Sequence, residues 1–297
     1  MLELIAPAKL NLVLEVLARR ADGYHDIASL MQTIDLADTV RLDLASAIEI
    51  DVEGDAQRGV PREGPSNLAF SAAHALTEAV GQPQLGARIE LVKRIPAGMG
   101  LGGGSTDAAA VLRGLNRLWN LELPPEELDV VAASVGSDVP FFLHGGTTRV
   151  GGRGERIESL PDLQGVSLTL FAADVDLADK TRRMYGMLSP IDFTDGEKTR
   201  AAVERAAEGS PLGDSDLYNA FDRHVGEVAP QVASAMALCR ANDLAVFAAG
   251  SGPGFFTLVS VDALPPMLLR ELERDWGVRA VECRTLDRVA ATSILEY

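Results

Sequence analysis

One short stretch limits what this chain can become more than any other. Ile95-Pro96-Ala97-Gly98-Met99-Gly100-Leu101-Gly102-Gly103-Gly104-Ser105-Thr106-Asp107 carries five glycines within seven residues. Glycine loses more backbone freedom on ordering than any other residue, so such a run is either a slack surface loop or a place where main chain must come close to something. Its flanks favour the second reading. Ala87 to Val92 reads as a strand leading in. Ala108, Val111, Leu112, Leu115 and Leu118 then form an apolar stripe at helical spacing. Ser105, Thr106 and Asp107 are residue types that cap helix starts. A strand, a glycine loop and a helix start in succession gather unpaired amides at the positive end of a helix, and the natural guest is phosphate.

Several phosphate loops are excluded. No glycine is followed by lysine, which removes the Walker pattern. Gly98-x-Gly100-x-x-Gly103 fits the dinucleotide fingerprint, but about 20 residues on, where that fold needs a strand ending in an acid, stands the proline-broken Leu121-Glu122-Leu123-Pro124-Pro125. The H-R-D and D-F-G motifs of protein kinases are absent.

The remainder of the chain sets the frame. Its 297 residues suffice for two domains, and the glycines at 145, 146, 151, 152 and 154 mark the boundary, giving 1–155 and 156–297. With 47% hydrophobic and 24% charged residues and no low-complexity tract, it reads as a soluble globular protein. A net charge of −16 without a basic stripe argues against nucleic acid as a partner. Two cysteines, Cys239 and Cys283, are too few for a disulfide framework and fit a reducing compartment. The N-terminus has no basic leader and nowhere do 18 apolar residues run together, so no membrane partner is expected and the protein reads as cytoplasmic. Oligomeric state leaves no mark in the sequence.

Alternation marks further elements. Leu10, Leu12, Leu14 and Val16 occupy one face of a strand over 10–18, with Lys9, Asn11 and Val13 on the other. Segments 39–44 and 48–53 are expected to pair antiparallel with one wet face. Residues 67–80 read as a helix stopped by Gly81, and 126–135 as another ended by Gly136, delivering Ser137-Asp138-Val139-Pro140 into a turn. Beyond 155 the order is a strand at 166–173, helices through much of 179–241, strands at 245–249 and 255–260, a helix at 264–276 and a strand at 279–284. That is close to the split βαβ, ferredoxin-like pattern.

Three separated segments carry a resemblance: Pro7-Ala8-Lys9-Leu10-Asn11-Leu12, Pro96 to Thr106, and Gly250-Ser251-Gly252. They resemble the galactokinase, homoserine kinase, mevalonate kinase and phosphomevalonate kinase (GHMP) superfamily. Ala21-Asp22-Gly23-Tyr24-His25, Gly100 to Ser105 and Gly136 to Pro140 are similar, in the same order, to the branch acting on a cytidyl diphosphate polyol. The resemblance implies an α+β fold of two domains, ribosomal-protein-like at the N-terminus and ferredoxin-like at the C-terminus. It implies a small-molecule kinase with ATP as co-substrate, magnesium accompanying it, and the polyol's 2-hydroxyl as acceptor.

It also implies roles. Asp138 would be the base and Lys9 its partner, which makes chemical sense: an alcohol attacking phosphorus must lose a proton, and an ammonium can hold the charge. Asn11 would bond the polyol. Tyr24 would stack on cytosine, His25 would read its polar edge, and Tyr185 would supply a second face. The nucleotide would lie on Pro96, Ala97, Gly98, Met99, Gly100, Leu101, Gly102, Gly103, Gly104, Ser105, Thr106 and Asp107, with Asn67 and Lys93 on the adenosine side. Taken singly, Asp138 also reads as a cap, Asp22 to His25 as a simple turn, Asn67 as a helix cap and Lys93 as a solvated charge. Two departures stand out. Asp107 sets a negative charge near phosphates, where it could instead face a metal or strengthen the helix start. Pro253 removes an amide next to Gly250-Ser251-Gly252. No protein metal ligand is identifiable. A different small-alcohol kinase, a nucleotide- or RNA-binding module and a dinucleotide oxidoreductase are the competing functions.

Overall fold

The computed structural model describes residues 1–62, 64–173 and 180–297. It begins with two long strands, β1 (Leu2–Arg19) and β2 (His25–Ala45), antiparallel along nearly their whole length. The turn joining them is closed by the Arg20 amide on the Tyr24 carbonyl, at 2.8 Å, with Gly23 in the left-handed region (φ 87°). There follow β3 (Ile48–Glu53), α1 (Leu68–Ala79), β4 (Gly86–Val92), α2 (Gly103–Leu118), α3 (Pro125–Val135), α4 (Val139–His144), β5 (Thr147–Gly152) and β6 (Arg156–Ser159).

The first sheet is forked. One edge of β2 pairs with β5 through residues 27–32 and with β4 through residues 39–45. Residues 33–38 lie at the fork, and the glycine loop springs from the end of β4 beside it. Helix α2 packs across this sheet and against α1, its buried Ala108 to Leu112 meeting Leu4, Val40 and Leu42 in one apolar cluster. The closest approach is at Gly114, where a Cβ would collide with Leu42 Cδ1 and sit 3.0 Å from Leu4 Cδ1.

The second half contains β7 (Ser167–Ala173), α5 (Lys180–Met187), α6 (Glu197–Ala207), β8 (Tyr218–Asn219), α7 (Val225–Val228), α8 (Pro230–Ala241), β9 (Phe247–Ala248), β10 (Phe255–Thr257), α9 (Pro266–Trp276), β11 (Val278–Arg284), α10 (Arg288–Ala291) and β12 (Ile294–Glu296). Its sheet is antiparallel in the order β11-β7-β10-β9. Taken in chain sequence as first to fourth, those strands stand 4-1-3-2, the ferredoxin-like arrangement expected. The chain then returns to the first sheet, where β12 pairs antiparallel with β1 and β8 lies parallel to it.

Four expectations change. Strands β2 and β3 are not partners: β4 lies between them, antiparallel to β2 and parallel to β3. The apolar Ile89 and Leu91 of β4 need burial on an interior strand, while the alternately exposed β3 suits an edge. The 39–44 segment is only the end of a 21-residue strand. Along β1, Leu14 joins Lys9 and Asn11 at the same cleft instead of opposing them, because the register slips between Asn11 and Val13 and a bulge reverses the facing of the residues beyond it. Val139-Pro140 opens α4 rather than a turn, with proline in the first turn where its missing amide is harmless. Residue 179, the expected start of the 179–241 helices, lies outside the described residues.

Replacing Gly114 by leucine should overpack the interface of α2 with the sheet. A loss of about 1–3 kcal/mol in stability is expected by urea denaturation; an unchanged midpoint would contradict the close packing.

Candidate active site

The outer edge of β1 organises the site. Where β2 is not its partner, β1 meets in turn β12, the glycine loop, the end of β9 and β8. Its Lys9 amide donates to Leu101 O at 3.0 Å and its Asn11 amide to Ala249 O at 3.0 Å. Two glycine segments thus converge on one strand. A Cβ on Gly250 would lie 2.7 Å from Gly100 O and 2.8 Å from Lys9 Nζ, and one on Gly100 would lie 2.8 Å from Gly252 N. The amide of Gly254 donates to Met99 O at 3.1 Å. The glycines at 100, 250 and 252 are there because main chain packs on main chain, which no side chain would permit.

Helix α2 starts without a side-chain cap. Its N-cap is Gly102 at φ 75°, and neither Ser105 nor Thr106 nor Asp107 caps it, contrary to expectation. The left-handed glycine turns the chain directly into the helix, so those three residues already lie within it, Asp107 beyond its first turn. Ser105 lines the cleft, Thr106 is buried with its amide on Gly102 O, and Asp107 turns inward. The first-turn amides are left to face a ligand.

Inside the cleft, Lys9 is 4% exposed and donates to Asn11 Oδ1 at 2.5 Å. Asn11 Nδ2 donates to Ser29 Oγ at 2.7 Å, and Ser29 Oγ donates to Val13 O at 2.6 Å. The amide of Asn11 therefore holds the ammonium in place. Burial pushes Lys9 below the ordinary lysine range, and the charge of Asp138 opposes that shift. Asp138 caps α4 by position only, its carboxylate making no cap bond. Its charge is felt also by Tyr185, whose phenol is raised first by burial and then by Asp138.

The far end is aromatic. The rings of His25 and Tyr185 lie 5.2 Å apart at 32°, with Phe193 edge-on to His25 at 6.1 Å and Phe221 edge-on to Tyr185 at 4.9 Å. Tyr24 is 52% exposed, and the Arg153 guanidinium sits 4.8 Å over its ring. Burial, then the charge of Arg19, hold His25 below the usual histidine range, so its ring is neutral at pH 7.

Asn67 both lines the cleft and caps α1, accepting from the Ala69 amide at 2.9 Å. Lys93 is not a solvated charge. It is 2% exposed and bound between the carboxylates of Asp38 and Asp107. The cleft, about 1290 Å³, is also lined by Pro96 to Gly104, Ser137, Thr181, Arg19, Arg153, Arg182 and Ser251. That exceeds the usual ~300–1,000 Å³ of a single-ligand pocket and leaves room for two. The three arginines and Asp38 were not legible in the sequence, since none sits in a recognisable motif.

A two-sheet α+β fold with a glycine loop opening a helix over such a cleft defines a kinase of the GHMP type, and the GHMP kinases N terminal domain matches residues 67–146. A 4-diphosphocytidyl-2-C-methyl-D-erythritol kinase of Dehalococcoides mccartyi is 39% identical over 87% of this chain and 89% of its own length. One from Thermotoga maritima is 38% identical over 88% and 93%. A crystal structure of 4-(cytidine 5'-diphospho)-2C-methyl-D-erythritol kinase, 36% identical, superposes with a TM-score of 0.72 over 95% of this chain and 98% of the other. The chain belongs to the 4-diphosphocytidyl-2-C-methyl-D-erythritol kinase family of the GHMP kinases.

Gly250→Ala places a methyl against both Lys9 Nζ and Gly100 O. Kinase turnover should fall on the order of 10²-fold, as expected when reacting groups are displaced by about 1 Å, and Tm should fall as well, because the methyl must push packed main chain apart. Wild-type turnover in this variant would contradict the convergence.

Proposed function

We propose that this protein transfers the γ-phosphoryl group of ATP to the 2-hydroxyl of 4-diphosphocytidyl-2-C-methyl-D-erythritol, giving the 2-phosphate and ADP, a step of non-mevalonate isoprenoid precursor synthesis. The observation that carries this reading is the position of Asp138, whose charge acts both on Lys9 beside the glycine loop and on Tyr185 at the aromatic end. A substrate with a base at one end and an alcohol at the other would set its base among the aromatic rings and its alcohol by the glycine loop.

In this reading the half built on 1–155 carries the nucleotide, with its phosphates on the open amides of α2 and the glycine loop and its adenosine near Asn67. The half built on 156–297 adds Tyr185 and Ser251 to the acceptor side. Asp138 receives the hydroxyl proton as oxygen attacks phosphorus. Lys9, aimed by Asn11, balances the charge that develops. Cytosine stacks with Tyr24 and Tyr185, and neutral His25 can both donate to and accept from its polar edge. Arg19, Arg153 and Arg182 offer the diphosphate its counter-charges. Magnesium would accompany ATP and supply charge neutralisation at its phosphates; among the described residues no group of three or more acids, histidines or cysteines gathers into a metal site. Also among the described residues, no helix is long and apolar enough to cross a membrane.

ADP release measured with the cytidylated polyol, homoserine and mevalonate in turn tests the substrate; preference for either of the latter would contradict the aromatic end's role. Asp138→Asn should lower kcat by about 10²–10⁴ with ATP affinity nearly unchanged. A fully active Asp138→Asn enzyme would remove the base. His25→Ala should act mainly on KM for the cytidyl substrate, raising it on the order of tenfold or more; a change confined to KM for ATP would put cytosine elsewhere.

A further inference from the structure

Three buried charges lie under the nucleotide loop. Asp38, at the fork of the first sheet, is fully buried. Its Oδ1 accepts the amides of Arg94 at 2.5 Å and Ile95 at 2.8 Å, fixing the turn by which β4 enters the loop. Its Oδ2 binds the ammonium of Lys93. Lys93 in turn donates to Asp107 Oδ2 at 2.5 Å and to Gly103 O at 3.4 Å, so one ammonium ties the first turn of α2 to the sheet.

The charges of this triad do not balance: two carboxylates against one ammonium leave one negative charge in excess, buried where phosphates are to bind. One atom is also unsatisfied. Asp107 Oδ1 is buried and has no hydrogen-bond partner, a costly state for an ionised oxygen and a much cheaper one for a protonated carboxyl. We propose that the nucleotide loop takes up its anionic ligand together with a proton, which lands on Oδ1 of Asp107 and turns the triad from net negative to neutral. The inference rests on the kinase reading and deepens it. The step is a simple protonation: solvent supplies the proton, Asp107 keeps its bond to Lys93 through Oδ2, and Asp38 holds the loop's entry turn throughout.

Charge around the group agrees with this. Asp107 faces Lys93, just past the end of β4, and Asp38 of β2, while Lys9 of β1, Asp138 at the start of α4 and the neutral Asn67 before α1 line the same cleft. Burial raises the Asp107 carboxyl to about 7, Lys93 working against that rise and Asp38 adding to it. Phosphate in the cleft raises it further. Because the bound form holds the proton more tightly, affinity is full below about pH 7 and declines as pH climbs from there through the bound-state value.

Isothermal titration calorimetry with ADP and excess magnesium at pH 7.5, in buffers of widely different ionisation enthalpy, counts the protons. Wild type should take up on the order of half a proton more per nucleotide than Asp107→Asn. Its Kd should weaken about 3–10-fold more than the variant's between pH 7 and 9. Lys9 titrates alike in both and cancels. A measurement that needs no variant is the infrared difference spectrum of wild type on ADP binding, where a protonated-carboxyl band should grow in. Equal proton uptake by the two proteins, or no such band, would overturn the inference while leaving the kinase reading intact. Failure of wild type to bind ADP at all would overturn both.

Discussion

Two backbone hydrogen bonds from a single strand set everything else in place: the Lys9 amide to Leu101 and the Asn11 amide to Ala249. Through them β1 holds the glycine loop of one half of the chain and the glycine segment of the other, about 150 residues apart in sequence, against the same short length of backbone. The side chains on those very residues, Lys9 and Asn11, then project into the gap. Position and chemistry come from one stretch of strand, and its register slip after Asn11 brings Leu14 to the same cleft. A bulge is therefore part of the site's design, as bulges near functional sites often are.

Electrostatics is a consequence of that packing. Three arginines, Arg19, Arg153 and Arg182, line the cleft in a protein of net charge −16. The glycine-loop end has the opposite character: uncharged amides and a helix terminus are what it offers an anion, while the ammonium of Lys93 beneath it is claimed by two carboxylates. Lys93 thus fastens the loop from below, with its charge already claimed, whereas Lys9 lines the cleft itself.

Much of this architecture is legible in the sequence, and the limits have physical causes. The strand–glycine loop–helix unit is legible because glycine density and apolar spacing are local signals. The ferredoxin-like half is legible because strand and helix order alone nearly fix the 4-1-3-2 sheet. Pairing partners are not: nothing in residues 48–53 states that β4 will insert beside β2, since that depends on which strand needs burial on both faces. Asp107 reads as a helix cap by type and becomes an inward-facing acid only because Lys93 lies beneath it. The arginines and Asp38 carry no motif, and their placement is a consequence of tertiary folding. Asn11 is expected to meet substrate; its amide is first of all engaged in holding Lys9 and Ser29.

The central claim is that one cleft brings the polyol's 2-hydroxyl and the terminal phosphorus of ATP together between Lys9 and Asp138. Phosphorus NMR of the product made by the purified protein from ATP and 4-diphosphocytidyl-2-C-methyl-D-erythritol tests it most directly. The account predicts one new monoester resonance coupled to carbon 2 of the erythritol, with the diphosphate signals retained. A new ester on any other carbon, or loss of the diphosphate signals, would contradict it.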